Sequence, residues 1–560
     1  MATGSRPSSG TSGSASRGSG EVLHLPVAAP GAREAAARAD HVEVEWQLDA
    51  RSLGPVEAWL RTATLGAGLS VVAEHPRLFV DSYWDTEQWG FLRAGYALRI
   101  RRTGDLTEAT LKSLAAGPGE ERRRREIGEC LAQSTAEGLM RTPGPVGERV
   151  RLIAGRQPLR SLVEIRTRRR PFALSREGRV LAEIALDAVT IPRPDGGKPA
   201  RLRRVEIEVR DGAPADLEPL VARVRGACAL TPATCSKYEL ALQACRIAPA
   251  ALPDLGPTLV DASRSVGEVA FAVLRQHFAI LLAREPGTRL GEDIEALHDM
   301  RVAARRVRAA LALFAEYLPV RARWLRQELG WLNDALAETR DLDVQLERLA
   351  TWRATVDADE RQALATLGIL LRHRREGARR PLLRTLDSRR YERLVAGGVA
   401  VLRRGPLVRG GAARTSVLAV APDLIGKRYR KVKRLGDRIE ARSAARDYHA
   451  LRIACRRLRY ALEFHADVYG KPLRALVRRL IALQDLLGEH QDATVAVAHL
   501  HELCRIDDST LASRAVFALG RIAQRQTQQA ARLRAGFPAL YRRIRGKRWR
   551  RLRRAMERYR

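Results

Sequence analysis

The stretch HDMRVAARRVRAAL, His298 to Leu311, returns 151 residues later as HALRIACRRLRYAL, His449 to Leu462. A second block keeps the same offset: WLNDALAETRDLDV from Trp331 and ALQDLLGEHQDATV from Ala482. His298 to Asp341 and His449 to Asp492 each span 43 positions. Similarity that preserves both pattern and spacing marks an internal repeat. The apolar period in both copies is helical, which predicts two helical bundles related by a pseudo-two-fold axis.

On a 3.6-residue period His298, Arg301, Arg305 and Arg308 share one stripe. Met300, Ala303, Val307, Ala310, Leu311 and Phe314 lie roughly opposite. The second copy sets His449, Arg452, Arg456 and Arg459 against Leu451, Ala454, Leu458, Ala461 and Leu462. Arg306 and Arg457 flank the stripes. A solvated helix face usually interleaves acids at i,i+4; without them each like-charge pair costs ~0.2–0.5 kcal/mol. A bound polyanion, or acids from a neighbouring helix, would remove that cost. Guanidinium groups make bidentate, charge-assisted bonds to phosphate oxygens and stay protonated, so a row of them suits a repeating phosphate chain. The two histidines read equally well as donors in that cleft or as helix-packing groups. Asp341 and Asp492 read as groups that orient the arginines or cap helices.

The rest of the chain frames this core. With 560 residues it has room for two or more domains. Its formal net charge of +35 favours a polyanionic partner: nucleic acid, an anionic membrane or an inorganic polyanion. Residues 1–40 form a Ser/Gly/Ala-rich tail expected to be disordered. Residues 41–246 read as strands broken by turns, 247–263 as a proline-rich linker and 264–560 as almost wholly helical, with a helix break at Pro422. Basic runs, GKRYRKVKR (426–434) and the tail Tyr541–Arg560, flank the helical core. The six cysteines form no CxxC pair, no signal peptide is evident, and no uninterrupted apolar stretch approaches 18 residues. A cytoplasmic protein without a spanning helix is expected. Aromatics make up 5% of the chain and no base-reading motif occurs, which puts nucleic acid well below the other partners.

The first domain shows strands with one charged face. HVEVEWQL sets Glu43, Glu45 and Gln47 on one side, and RVEIEVR sets Glu206, Glu208 and Arg210. ALRIRR gives Arg99 and Arg101, TLK gives Lys112, RRRREI gives Arg124 with Glu126, and VEIRTRR gives Arg166 and Arg168. About eight strands result. Either the charged faces meet solvent, or the sheet closes into a barrel with charges inside. In the second case acid pairs could hold Mg²⁺ or Mn²⁺ and the cations could clamp phosphates.

The pieces HVEVEWQL, SYWDT (82–86), ALRIR, TLK, RREIG, EIALDAV, VEIEV and SKYELA (236–241) resemble the CYTH family, the triphosphate tunnel proteins. The resemblance implies an eight-stranded antiparallel barrel with covering helices and metal-dependent chemistry on triphosphates. It implies catalytic roles for Glu43, Glu45 and Lys112, metal binding by Glu43, Glu45, Glu206 and Glu208, and triphosphate binding by Arg99, Arg101, Lys112, Arg124, Arg168 and Lys237. The family's first strand reads ExExK, whereas this chain has Gln47 at the lysine position. Turnover is therefore expected to be weak, and Gln47→Lys to raise it.

The paired blocks of the second half resemble the CHAD family, a helical domain with conserved histidines. That resemblance implies binding of inorganic polyphosphate and association with polyphosphate granules, with His298, Arg301, Arg305, Arg306, Arg308, His449, Arg452, Arg456, Arg457 and Arg459 lining the site. The expected fold is thus α+β, a barrel followed by an all-α domain of two pseudo-symmetric bundles. Polyphosphate binding ranks first as the function. Metal-dependent hydrolysis of tripolyphosphate or polyphosphate in the tunnel follows closely.

Overall fold

A computed structural model describes residues 40–558 apart from 64, 67, 115–120, 250–251, 407–410, 441 and 506–512. The expected disordered tail lies outside the described residues except for Asp40. Ten strands make one antiparallel sheet: β1 (His41–Asp49), β2 (Leu69–Ala73), β3 (Arg77–Thr86), β4 (Tyr96–Thr103), β5 (Leu106–Ser113), β6 (Glu121–Cys130), β7 (Leu159–Arg176), β8 (Arg179–Ile191), β9 (Ala200–Val209) and β10 (Thr231–Pro232). Pairing runs β1-β6-β5-β4-β3-β7-β8-β9, and β9 pairs back onto β1, so eight strands close a barrel. Strands β2 and β10 add only short pairings on β7 and β1.

Closure decides between the two readings of the charged faces. Glu43, Glu45 and Gln47 point inward, while Trp46 and Leu48 pack outward under the helices Gly54–Thr62 and Glu218–Ala227. Trp46, Leu48, Ile184, Leu186, Val205 and Ile207 are thereby covered, while the charged faces of β1, β8 and β9 line the interior. Burial of Trp46, Val205, Ile207 and Ile184 in one cluster fixes the register, because a one-residue slip would exchange the two faces.

The second domain is helical from Val266 to Arg558. The first arginine helix is Ile294–Leu313 and the second is Ala445–Glu463. Their expected apolar faces are buried: Met300, Val307, Ala310 and Phe314 in one, and Leu451, Leu458 and Leu462 in the other. Both belong to one continuous core. Equivalent positions meet across the repeat, since Phe314 and His465, 151 residues apart, have ring centroids 5.6 Å apart. The linker is anchored rather than loose, with Leu255 and Val260 buried in that same core.

One sequence expectation needs correction. Pro422 does not separate two helices, because the helix Val417–Gly436 runs through it. Pro422 sits inside that helix, as Pro286, Pro381 and Pro538 sit inside theirs, and the break between helices lies upstream, between Arg404 and Val417. The helix Val266–Leu290 does contain an 18-residue window apolar enough to span a bilayer by length and composition. However, 72% of that window is buried inside the protein, at the centre of the bundle.

The two domains touch. Glu292, just before the first arginine helix, accepts from Tyr96 Oη at 2.7 Å and from Arg149 Nε at 2.7 Å, and pairs with Arg125 at 3.0 Å. Leu290 packs into the barrel-side cluster around Phe91 and Ile153.

Candidate functional site

The barrel encloses a cavity of about 400 Å³ lined by side chains from strands β1 and β3–β9 and from the helix that opens at Lys237. Strand β1 lies between β6 and β9, with Glu43 opposite Arg124, Glu45 opposite Glu208 and Gln47 opposite Glu206. Lys112 on β5 contacts Glu43 and lies 3.3 Å from Glu45 and 3.6 Å from Glu126. One ammonium cannot balance three carboxylates. Burial, and then the neighbouring Glu45, Glu126 and Glu208, push the Glu43 carboxyl up to about 8 against the pull of Lys112. Burial also raises Glu208, with Glu183 and Glu45 adding to it. Glu126 behaves oppositely. Its burial is outweighed by Lys112, Arg99 and Arg101, which hold it down to about 2.

The other wall is more evenly matched. Arg169 bonds Asp187 at 2.9 and 2.8 Å, Glu206 at 2.6 Å and Glu183 at 3.2 Å. Lys237 contacts Asp187 and lies 2.9 Å from Glu206. Arg101 grips Asp81 with two bonds of 2.7 and 2.8 Å. Arg124 differs: it is buried and lines the cavity, yet its Nε has no hydrogen-bond partner and it makes no ion pair among the described residues. Gln47, buried, donates to Glu45 at 2.9 Å and Glu206 at 3.4 Å. Its amide oxygen accepts from Arg204, whose guanidinium is wholly buried.

Of the residues expected in this cavity, Glu43, Arg99, Arg101, Lys112, Arg124, Glu206, Glu208 and Lys237 line it. Glu45 joins them through Lys112 and Gln47. Arg168 does not. It pairs in register with Leu78, is exposed, and faces outward; the inward residue is Arg169, opposite Arg77. Among the described residues no group of three or more His, Cys, Asp or Glu side chains forms a ready metal cage.

In the helical domain the two arginine helices pack against each other. Burial, and then Arg305, lower the pKa of Arg456, its equivalent in the repeat. Arg305 Nε is buried without a partner. Arg305, Arg308, Arg452, Arg456 and Arg457 make no ion pair among the described residues. Glu463 provides partial relief, pairing with Arg306 at 2.8 Å and Arg459 at 3.4 Å. Asp341 lies 3.6 Å from Arg301, whereas Asp492 pairs with Arg348 of the other repeat at 3.0 Å. His449 Nδ1 is 3.0 Å from Gln491 Oε1. His298 is lowered by burial and then by Arg340.

The family models match in two blocks: the CYTH domain over residues 55–225 and the CHAD domain over residues 272–501. The chain carries a CYTH domain followed by a CHAD domain. An uncharacterized protein of Mycobacterium tuberculosis is 28% identical over 543 residues, covering 91% of this chain and 98% of its own. The solved CHAD domain from the plant Ricinus communis is 29% identical, covers 51% of this chain and 96% of its own, and superposes with a TM-score of 0.44. HpAC1 from Hippeastrum, for which a dominant triphosphatase activity is reported, is 17% identical over 36% of this chain and 95% of its own, with a TM-score of 0.28.

Sequence reasoning missed three functional candidates. Arg169 in the CYTH domain is hidden in the run Arg168–Arg170, where alternation gives no phase. Arg204 shares the inward face of Glu206 and Glu208, so the same alternation signals it. Glu463 in the CHAD domain has Ala312 as its repeat equivalent, so comparing the two copies gives no hint of an acid there.

Proposed function

We propose that the CYTH domain is a metal-dependent phosphohydrolase that takes tripolyphosphate or a polyphosphate end into its tunnel. The observation that carries this reading is Arg124, a buried guanidinium left unmatched in a cavity where Arg101 and Arg169 are held by carboxylates. A buried cation without a partner is costly, and a phosphoryl oxygen would complete it. Arg99, Lys112 and Lys237 would share the anion's remaining charge.

The acids of β1 and β9 suit a hard divalent cation. Glu43, Glu45, Glu206 and Glu208 are crowded oxygen donors, and Glu43 and Glu208 are already driven toward protonation by burial and by their neighbours. Mg²⁺ or Mn²⁺ held there would neutralise phosphoryl charge in the reaction. The protein's own contribution is to orient the chain along the cations and exclude bulk water. Water adds to the terminal phosphorus, the P–O–P bond breaks, and orthophosphate leaves with the shortened chain.

The CHAD domain supports a second reading, the binding of long polyphosphate between the paired arginine helices. The unpaired arginines from both copies favour it, and the polyphosphate-granule and cytoplasmic setting belongs to that proposal. One experiment tests the first reading: orthophosphate release from tripolyphosphate and from long polyphosphate with Mg²⁺, Mn²⁺ or chelator. Metal-dependent release that Glu45→Gln abolishes is expected. Tight tripolyphosphate binding with no release under any metal would reduce the tunnel to a binding module.

A further inference from the structure

Beyond the family matches lies the C-terminal helix Lys547–Arg558, past the last residue of the matched CHAD segment. It is firmly seated: Leu552 and Met556 are buried, and Trp549 stacks on Tyr429 with ring centroids 3.6 Å apart. The backbone that carries its cations is therefore fixed. Arg548 and Arg551, one turn apart, face Lys471, Arg474 and Arg478 on the long helix Lys471–Arg505. Between them is a concavity of about 390 Å³ lined by these five cations with Pro472 and Ala475, and by no carboxylate. Arg474 alone has an acid partner, Asp467 at 2.6 Å; the other four make no ion pair among the described residues. None of the lining residues belongs to the tunnel or to the arginine rows.

We propose that this concavity is a separate binding site for condensed phosphate, either a free short chain or a segment of a longer one. Two cationic stripes at i,i+3 and i,i+4 spacing, held on two packed helices, repel each other unless an anion lies between them. Guanidinium groups arriving from two sides can grip adjacent phosphoryl groups at once. Condensed phosphate concentrates charge more densely than a phosphodiester chain, so it satisfies five cations within this small volume. The aromatic groups near the site favour no other ligand, since Trp549 is occupied by Tyr429 and offers no free face for a base. The site stands apart from the tunnel and the arginine rows, so its failure leaves the readings of those sites intact.

The test is hydrogen–deuterium exchange on the full chain with tripolyphosphate, long polyphosphate or a charge-matched single-stranded oligonucleotide. Protection of residues 547–558 by tripolyphosphate supports a short-chain ligand, and protection by long polyphosphate alone supports a segment of a longer chain. The dissociation constant read from that protection should rise about tenfold or more in Arg478→Gln/Arg551→Gln. With tripolyphosphate as the ligand it should stay unchanged in Arg305→Gln/Arg456→Gln. Arg478 and Arg551 are exposed and unpaired, so the fold should tolerate their loss; Arg548→Glu provides a second variant with the same expected loss. Four results overturn the proposal: no protection by either phosphate, protection that survives the Arg478/Arg551 change, tripolyphosphate protection lost with the Arg305/Arg456 change, or equal protection by the oligonucleotide.

Discussion

Arg204 Nη1 donates to Gln47 Oε1 across 3.3 Å, from a guanidinium with no exposed surface. The same guanidinium holds Asp49 at 2.9 Å and the Cys235 carbonyl at 2.8 Å. The amide of Gln47 is thus polarised, its oxygen toward a cation and its nitrogen toward Glu45 and Glu206. The positive charge missing at position 47 stands one hydrogen bond behind it. That changes what a lysine there would do.

Gln47→Lys alone would press an ammonium against the buried Arg204 and remove its acceptor. The sequence predicts a gain in turnover; the structure instead predicts a loss of stability of about 1–3 kcal/mol and no gain. Pairing it with Arg204→Met should recover stability, with a coupling of roughly 0.5–3 kcal/mol. Urea unfolding of the parent, both single variants and the double variant measures this. A Gln47→Lys protein as stable as the parent and faster at phosphate release would show that Arg204 does not constrain the site.

Arg124 and Arg101 should separate binding from folding. Arg124→Ala breaks no ion pair, so tripolyphosphate affinity should fall by about 1.5–3 kcal/mol with little change in melting temperature. Arg101→Ala strands Asp81, which is 2% exposed, and should cost on the order of 3–5 kcal/mol of stability. Calorimetric titration and thermal unfolding of both variants check the contrast.

The arginine helices offer the reverse signature. Arg305→Ala and Arg456→Ala should each weaken long-polyphosphate binding to a similar degree, because the two residues are equivalent in the repeat. Each should leave the ligand-free protein unchanged or slightly more stable, by roughly a few tenths of a kcal/mol, because like-charge repulsion is removed. Affinity should also fall steeply with salt. Binding unaffected by one of the two changes would confine the ligand to a single repeat.

Acid should weaken the helical core through two histidines. Burial holds His465 down to about 4, and burial with Arg306 does the same for His277. His465 donates from Nδ1 to the Ala461 carbonyl at 2.7 Å, and its Nε2 is buried without a partner. Both folded-state values lie below the ordinary histidine value. Their stabilising contribution is therefore complete above about pH 6.5 and is lost as pH falls toward 4. For His465 the loss is on the order of 3 kcal/mol. His465→Phe should flatten the decline in unfolding free energy between pH 6.5 and 4; an unchanged slope would assign it to other groups.

The sequence carried the repeat, the apolar faces of both arginine helices and the charged faces of the strands, because period and spacing are local properties. It did not carry barrel closure from residues alone, which depends on β1 meeting β9 from opposite ends of the domain. Within the barrel, alternation chose Arg99, Arg101 and Lys112 correctly as inward residues. It failed at Arg168, where four successive positions from Thr167 to Arg170 carry polar side chains and only pairing with β3 fixes the phase. Pro422 misled because tertiary packing carries helices through proline here, as at Pro381 and Pro538. Glu463 was hidden because the repeat, otherwise the strongest signal, is broken there.

The tilted contact of Phe314 with His465 and the proximity of Arg305 to Arg456 place equivalent residues against one another. A polyphosphate groove between these helices, as proposed above, would look nearly the same entered from either end. Chains with a chemical direction, such as nucleic acids or polypeptides, gain nothing from such a groove, because half of it always meets the ligand reversed. A linear phosphate polymer has identical ends and no direction, so every threading is productive. On the proposed polyphosphate reading, the duplicated helix pair would make a track along which such a chain could slide or turn around.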